Sequence, residues 1–176
     1  FLGNGVDHTG GIRVINKRQT VRNNYMHGLK GYRFGSALTI MNGVPDSPIN
    51  RYHQVEDSVI ENNSVIDSDY IEMAAGSDEE RSAVPITTTF QNNLIYNADG
   101  RNVIRVNDDV SGITFEDNVL NQVESPAIES GFLSQEVTLV KEDYGILFHE
   151  GCNAGESRDL KVLQKSDTGV SWYTKQ

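Results

Sequence analysis

Three short stretches carry residue types suited to holding an anion. Arg13 lies in "GGIRVI", Tyr32 and Arg33 in "GYRFGS", and Arg51, Tyr52 and His53 in "NRYHQ". A guanidinium offers a rigid fork of N–H donors that meets a carboxylate in two parallel hydrogen bonds. A neighbouring tyrosine adds a flat apolar face and a hydroxyl. An imidazole such as that of His53 is of the type that transfers protons near neutrality, although a lone loop histidine more simply makes surface hydrogen bonds. In "GIRVI" the two-residue period of a strand sends Ile12 and Val14 to one face and Arg13 to the other. Arg13 is then an outward charge, and the question is whether its strand belongs to a surface built for a ligand.

The charge distribution favours a local anion site. The 176 residues carry a formal net charge of −10, yet residues 1–53 hold seven Lys/Arg against two acids, a net of +5, and the remainder a net of −15. A basic third on an acidic chain concentrates an anionic ligand locally. A long phosphate chain would be repelled by the rest, and no recognised nucleic-acid motif is present. Nucleic acid is therefore not an expected partner, and a carboxylate-bearing ligand fits better. At 37% hydrophobic and 23% charged, the composition is that of a globular chain. No apolar run approaches the roughly 18–20 residues that span a bilayer, so no membrane partner is expected. Cys152 stands alone, which excludes an intrachain disulfide and a cysteine metal cluster. The start, "FLGNGVDHTGG", has neither an initiator Met nor a signal-peptide pattern and reads as the interior of a longer polypeptide.

An Asn pair recurs and organises the chain. It appears in "TVRNNYM", "SVIENNSVI" and "TFQNNLIY", and as Asp-Asn in "ITFEDNVL"; the second member falls at Asn24, Asn63, Asn93 and Asn118, spaced by 39, 30 and 25. "FLGNG" resembles "MHGLKG" about 25 residues on and hints at an earlier cycle. Between the pairs lie short alternating or β-branched runs such as "SALTIMNG", "DYIEMAAG" and "NVIRVND". A fixed motif at unequal periods signals a solenoid with loops of variable length. The expected architecture is all-β: a right-handed parallel β-helix whose coils stack like residues into ladders. Stacked Asn side chains can bond one another and the backbone, so these asparagines are expected to be structural. Residues 1–125 are expected to form the coils, with loops projecting near 42–54 and 75–85, and 126–176 the final coils and a C-terminal cap of the same domain. "EVTLVKEDYGILF" reads as a last strand pair, and "SWY" (171–173) as packing over the end.

"GGIRVINKRQTVRNNY", "GYRFGSALTIMNGVPDSPINRYHQVEDSVIENN" and "TGVSWY" resemble polysaccharide lyase family 6, which comprises alginate lyases and chondroitinase B on a right-handed parallel β-helix. The resemblance is strong over residues 10–66 and 168–173, and looser between. It implies β-elimination at a uronate: a cation neutralises the carboxylate, a base takes the C5 proton, and an acid protonates the departing sugar oxygen. The family's Lys and Arg catalytic pair and its Asn and Glu calcium ligands all precede the Gly-Gly-Ile-Arg segment, and the pair is expected upstream of Phe1. No catalytic residue or calcium ligand is therefore assigned here, and calcium, if used, is expected to be held outside this chain. A second strand-edge expectation concerns Phe1 itself: a β-helix cut before it would expose unpaired edges, so another polypeptide is expected to cover that coil. The resemblance implies alginate as the polymer, Arg13 as a substrate contact, and an N-terminal half of the enzyme as partner, in a separate fragment or chain. It further implies a secreted or periplasmic protein. A non-catalytic β-helix that binds carbohydrate or serves as a scaffold, and a chondroitinase B-like lyase, are the alternatives.

On this reading Tyr32, Arg33, Arg51, Tyr52 and His53 join Arg13 as candidate substrate contacts, because a ring stacks on a sugar while a guanidinium takes its carboxylate. His8 is near Arg13 in sequence and within reach of the same groove, whereas His27 and His149 have no supporting context. Asp78, Glu79, Glu80 and Arg81 read as a solvated loop, because the alternating oxygen-ligand spacing of a calcium loop is missing. Lys17 and Arg18 read as turn charges. The Asn62-Asn63-Ser64 sequon is discounted because it falls within the ladder.

Overall fold

The computed structural model describes residues 1–121, 127–141 and 147–149. Four successive coils each contribute three short strands. The first has β1 (Ile12–Val14), β2 (Thr20–Arg22) and β3 (Tyr25–His27), and the second β4 (Leu38–Met41), β5 (Val59–Glu61) and β6 (Ser64–Ile66). The third has β7 (Ile71–Ala75), β8 (Thr88–Gln91) and β9 (Leu94–Tyr96), and the fourth β10 (Ile104–Val106), β11 (Ile113–Glu116) and β12 (Asn118–Asn121). Like strands pair in parallel across coils. The orders β1-β4-β7-β10, β2-β5-β8-β11 and β3-β6-β9-β12 define three sheets, the third extended by β13 (Phe132–Ser134). This is a parallel β-helix. Before β1, Leu2 bridges to His27 and Asp7 to Lys30, so the "FLGNG" cycle stacks on "MHGLKG" as its spacing predicts. Phe1 opens this cycle as a rung of the third sheet. Its amino group donates to Tyr25 O at 2.8 Å and its carbonyl accepts from His27 N–H at 3.0 Å, while its side chain is exposed. The expected final strand pair is present: β14 (Leu139–Lys141) pairs antiparallel with β15 (Leu147–His149). "SWY", Cys152 and "TGVSWY" lie outside the described residues.

The repeated Asn pair is explained residue by residue. Its first member takes left-handed backbone torsions in every cycle: Asn23, Asn62, Asn92 and Asp117 have φ of 57°, 53°, 52° and 54°. Among residues with a Cβ, Asn and Asp tolerate that region best. The second member forms the ladder. Asn24 Nδ2 donates to Asn63 Oδ1 at 2.9 Å, Asn63 Nδ2 to Asn93 Oδ1 at 2.9 Å, and Asn93 Nδ2 to Asn118 Oδ1 at 3.0 Å. Each acceptor also takes the backbone N–H of the preceding rung's Asn, at 3.0–3.1 Å. Asn63, Asn93 and Asn118 are buried, so an unpaired amide there would carry its full desolvation cost.

Inside the coils, Val14, Met26, Leu38, Ile40, Ile60, Ile71, Met73, Phe90, Ile95 and Leu120 form a continuous apolar core. Toward the last coils Phe90, Phe115 and Phe132 stack with ring centroids 5.4–6.2 Å apart. The unequal spacing of the Asn pairs arises largely at one corner. The connections 42–58 and 76–87 both run from a first-sheet strand to a second-sheet strand. They do not project separately: Gly43 and Ala83 form an antiparallel bridge, and Asn42 Nδ2 donates to Arg81 O at 3.4 Å. Paired in this way, the two loops wall one side of the first sheet.

Candidate functional site

The first sheet carries the site on its outer face. Strand register aligns Arg13 with Thr39, Thr39 with Glu72, and Glu72 with Arg105. At about 4.8 Å per rung, the two arginines flank the row about 14 Å apart. The apolar neighbours Ile12 and Val14 pack toward the core while Arg13 is exposed, as strand alternation predicts. Gly10 and Gly11 are required beside it because the turn carrying Arg33 runs across them. A Cβ on Gly11 would strike Ala37 O, and one on Gly10 would sit 2.7 Å from Gly35 O.

That turn is a single 3-10 turn, Arg33–Gly35. Arg33 holds φ of 54°, a conformation costly for a residue with a Cβ. Its carbonyl is tied down by Ser36 N–H at 3.3 Å, Ser36 Oγ at 2.9 Å and Thr39 Oγ1 at 3.3 Å. The turn lays Phe34 beside Arg13, whose Nε donates to Phe34 O at 2.8 Å and whose guanidinium lies 5.8 Å from the Phe34 ring centre.

Between the turn, the row and the 75–85 loop lies a cavity of about 400 Å³, lined by Arg33, Phe34, Glu72, Gly76, Ser77, Arg105 and Asn107, among others. Its size suits a small ligand or one unit of a polymer. Glu72 is almost fully buried, yet both its oxygens are engaged. Oε2 accepts from Asn107 Nδ2 at 2.8 Å, and Oε1 faces Ser36 Oγ at 3.5 Å and Arg105 Nη1 at 3.6 Å. The other face of the Arg105 guanidinium lies 3.4 Å from the Tyr70 ring centre, so this cation is clamped while its side chain stays 47% exposed. Beside Ser77, Asp108 is held below the usual carboxylate range by hydrogen bonds from Ser77, the Asp109 N–H and Asn42.

Charge pairing separates the cations. Lys17, Lys30, Arg81, Arg101 and Arg105 each have a carboxylate within 4 Å. Among the described residues Arg13, Arg22, Arg33 and Arg51 have none; of these, Arg33 lines the cavity and Arg13 bonds Phe34, which also lines it. Unpaired guanidinium groups on a concave face can accept a ligand carboxylate without first losing a partner.

The sequence-derived candidates divide accordingly. Arg13 and Arg33 come together through Phe34. Tyr32 is half exposed beside Arg33, with His8 against its ring at 5.9 Å. Tyr52 lies 5.9 Å from the Arg81 guanidinium, which is also 5.9 Å from Phe34. Arg51 is exposed on the 42–54 loop, its N–H closing a turn on Pro48 O. His53 does not line the cavity: its Nδ1 is 2.7 Å from Ser47 O, its Nε2 3.6 Å from Glu56, and it ties the loop to the coil. Phe1, the residue that the catalytic pair is expected to precede, does not line the cavity either. It pairs with β3 in the third sheet, whereas the cavity belongs to the first. Sequence reading missed Phe34, Glu72, Arg105 and Asn107. The signal was present for two of them, since "IRV" at 104–106 repeats "IRV" at 12–14, and Glu72 occupies the matching position of "IEM".

The described residues hold no acidic cluster that would mark a calcium site. No three His, Cys, Asp or Glu side chains converge among them, and Asp78 is occupied by the N–H groups of Glu80 and Arg81 and by the Arg81 guanidinium.

The model of the chondroitinase B family matches residues 1–163, and the chain belongs to that family, polysaccharide lyase family 6. The solved structure of the family 6 alginate lyase AlyGC is 54% identical, with a TM-score of 0.82 over 99% of this chain. A point mutant of AlyGC gives the same identity at a TM-score of 0.81. A mannuronic acid specific family 6 lyase from human gut microbiota is 25% identical, with a TM-score of 0.63 over 76% of this chain and 32% of its own. The chain spans 24% of the length of the AlyGC structures it matches. No curated protein matches it.

Proposed function

We propose that this chain is the substrate-gripping distal part of an alginate lyase that cleaves the polymer by β-elimination. The observation that carries the reading is the pair of unpaired guanidinium groups, Arg13 and Arg33, beside a cavity with a third, clamped cation, Arg105. The C5–H of a uronate is a poor acid until the negative charge that spreads onto its carboxylate is stabilised. Arginines already oriented by Phe34 O and by the tethered turn provide that stabilisation with little reorganisation. Tyr32, Tyr52 and Arg51 would contact neighbouring sugar units along the polymer.

The proton-abstracting base is proposed to lie outside this chain, upstream of Phe1. Glu72 is the one carboxylate lining the cavity among the described residues, and its oxygens are engaged by Asn107, Ser36 and Arg105. No Lys or His lines the cavity among them. The Lys and Arg catalytic pair, and any calcium ligands, would come from the N-terminal part of the same enzyme, as one polypeptide or as a partner fragment. Secretion or export to the periplasm suits an enzyme whose substrate is a polymer too large to cross a membrane.

The test is to follow the ultraviolet absorbance of unsaturated uronate product. The isolated chain should bind alginate oligomers without cleaving them, and turnover should appear only with the N-terminal part present. Turnover by the isolated chain would refute the location of the base. Failure to bind uronates would refute the substrate. Equal binding with no turnover in the joined protein would favour the carbohydrate-binding module instead.

A further inference from the structure

Three segments outside the strands meet at one side chain. The turn 33–35 brings Phe34, the loop 42–54 brings Tyr52, and the loop 75–85 brings Arg81 between them, its guanidinium 5.9 Å from each ring centre. Arg81 is itself held on several sides. Its Nε donates to Gly76 O at 3.0 Å, its Nη2 pairs with Asp78, its N–H donates to Asp78 Oδ1 at 2.6 Å, and its carbonyl accepts from Asn42. Gly76 lines the cavity and has φ of 86°; a Cβ there would lie 2.9 Å from Met41 Cε and 3.1 Å from Phe34 Cε1. The Asp78 carboxylate offsets the charge of Arg81, unlike those of Arg13 and Arg33, so its part in the site is geometric.

We infer that Arg81 is a positioning residue: it holds Phe34 and Tyr52 as the aromatic flank of the cleft, on which a sugar ring stacks while the cations take carboxylates. The inference rests on the uronate-binding reading above. A flat guanidinium can lie against two rings while its Nε and Nη2 bond two different acceptors. A lysine ammonium at the same place keeps the charge and loses that geometry. Aromatic rings bind a sugar well only when their orientation is set before the ligand arrives.

The experiment uses the 176-residue chain and an alginate tetramer, with affinity measured by calorimetry and the Phe and Tyr ring resonances followed by NMR. Arg81→Lys should weaken binding about fivefold or more, abolish the ligand-induced shift of the Tyr52 ring, and leave the melting temperature of the chain unchanged. Arg81→Lys combined with Tyr52→Ala should bind no more weakly than Tyr52→Ala alone, because Arg81 acts through that ring. Asp78→Asn, which loosens the tether but keeps the guanidinium, should show a smaller loss in the same direction. If the unaltered chain binds the tetramer and Arg81→Lys binds equally well with the Tyr52 shift intact, the role of Arg81 is overturned and the uronate reading stands. A lowered melting temperature with unchanged affinity would make Arg81 structural only. No binding by the unaltered chain would overturn both.

Discussion

The Asn corner and the outer row of the first sheet are both ladders in register across the coils, yet they are composed in opposite ways. The corner repeats one residue, Asn24-Asn63-Asn93-Asn118, and each amide satisfies the next. The row changes at every rung, Arg13-Thr39-Glu72-Arg105, and leaves Arg13 without a carboxylate partner among the described residues. A stacked fold gains stability from uniform rungs, because a side chain that bonds its own kind needs no special neighbour. A binding surface needs different groups at different rungs, because its ligand presents different groups along its length. Uniformity therefore marks structure in this molecule and variety marks the site.

That contrast can be broken by substitution. Asn93→Ala would strip the acceptor from the Asn63 N–H and Nδ2 and leave Asn118 Oδ1 without that donor, all in the buried interior. It should cost on the order of 3 kcal/mol in urea unfolding. Uronate affinity of whatever remains folded should be unchanged.

Glu72→Ala tests the one buried charge in the row. It removes one of the two acceptors of Asn107 Nδ2, leaving Met73 O, and releases Arg105, so it should lower stability by about 1–2 kcal/mol and weaken oligomer binding as well. An effect on stability alone would mean that Arg105 takes no part in binding.

Arg13→Ala and Arg33→Ala should do the reverse of Asn93→Ala. Each should leave stability within about 0.5 kcal/mol and lower oligouronate affinity about tenfold, the equivalent of one charge-assisted hydrogen-bond pair. Calorimetry beside a urea titration reads both quantities on the same sample.

The smallest effect belongs to a charged tie elsewhere. Burial raises the pKa of Asp69, but hydrogen bonds and charges from Lys30 and Arg101 outweigh it and leave the group below its ordinary 3.8. A depressed carboxylate contributes stability that is present above the unfolded value and lost as pH falls through the folded one. The unaltered chain should therefore lose stability on acidification below 3.8, and Asp69→Asn should flatten that part of the profile. The uncharged Asn corner should contribute no slope there.

Much of the scaffold was legible because its signals are local. The Asn pairs announce the coils since left-handed torsion at Asn23, Asn62, Asn92 and Asp117 favours a short amide or acid, and ladder bonding at the next residue needs an amide that both donates and accepts. Arg13 was legible as outward because Ile12 and Val14 alternate with it. Glu72 was harder, since a lone acid in "DYIEM" looks like any surface charge until register sets it against Arg105. Arg81 was read as part of a solvated acidic loop, because the tie between residues 43 and 83 that buries one side of that loop spans a long stretch of sequence and has no local pattern. For His53 the residue type allowed both proton transfer and plain hydrogen bonding, and only the fold shows its ring nitrogens against Ser47 O and Glu56.

The central claim is that unpaired guanidinium groups on the first sheet and on the turn beside it receive uronate carboxylates. It is tested most directly by the Nε–H resonances of the arginines as an alginate tetramer is titrated into the chain. Those of Arg13 and Arg33 should move, with Arg105 following, while that of Arg101, paired with Asp69, stays in place. Saturable binding that leaves Arg13 and Arg33 unmoved would contradict it.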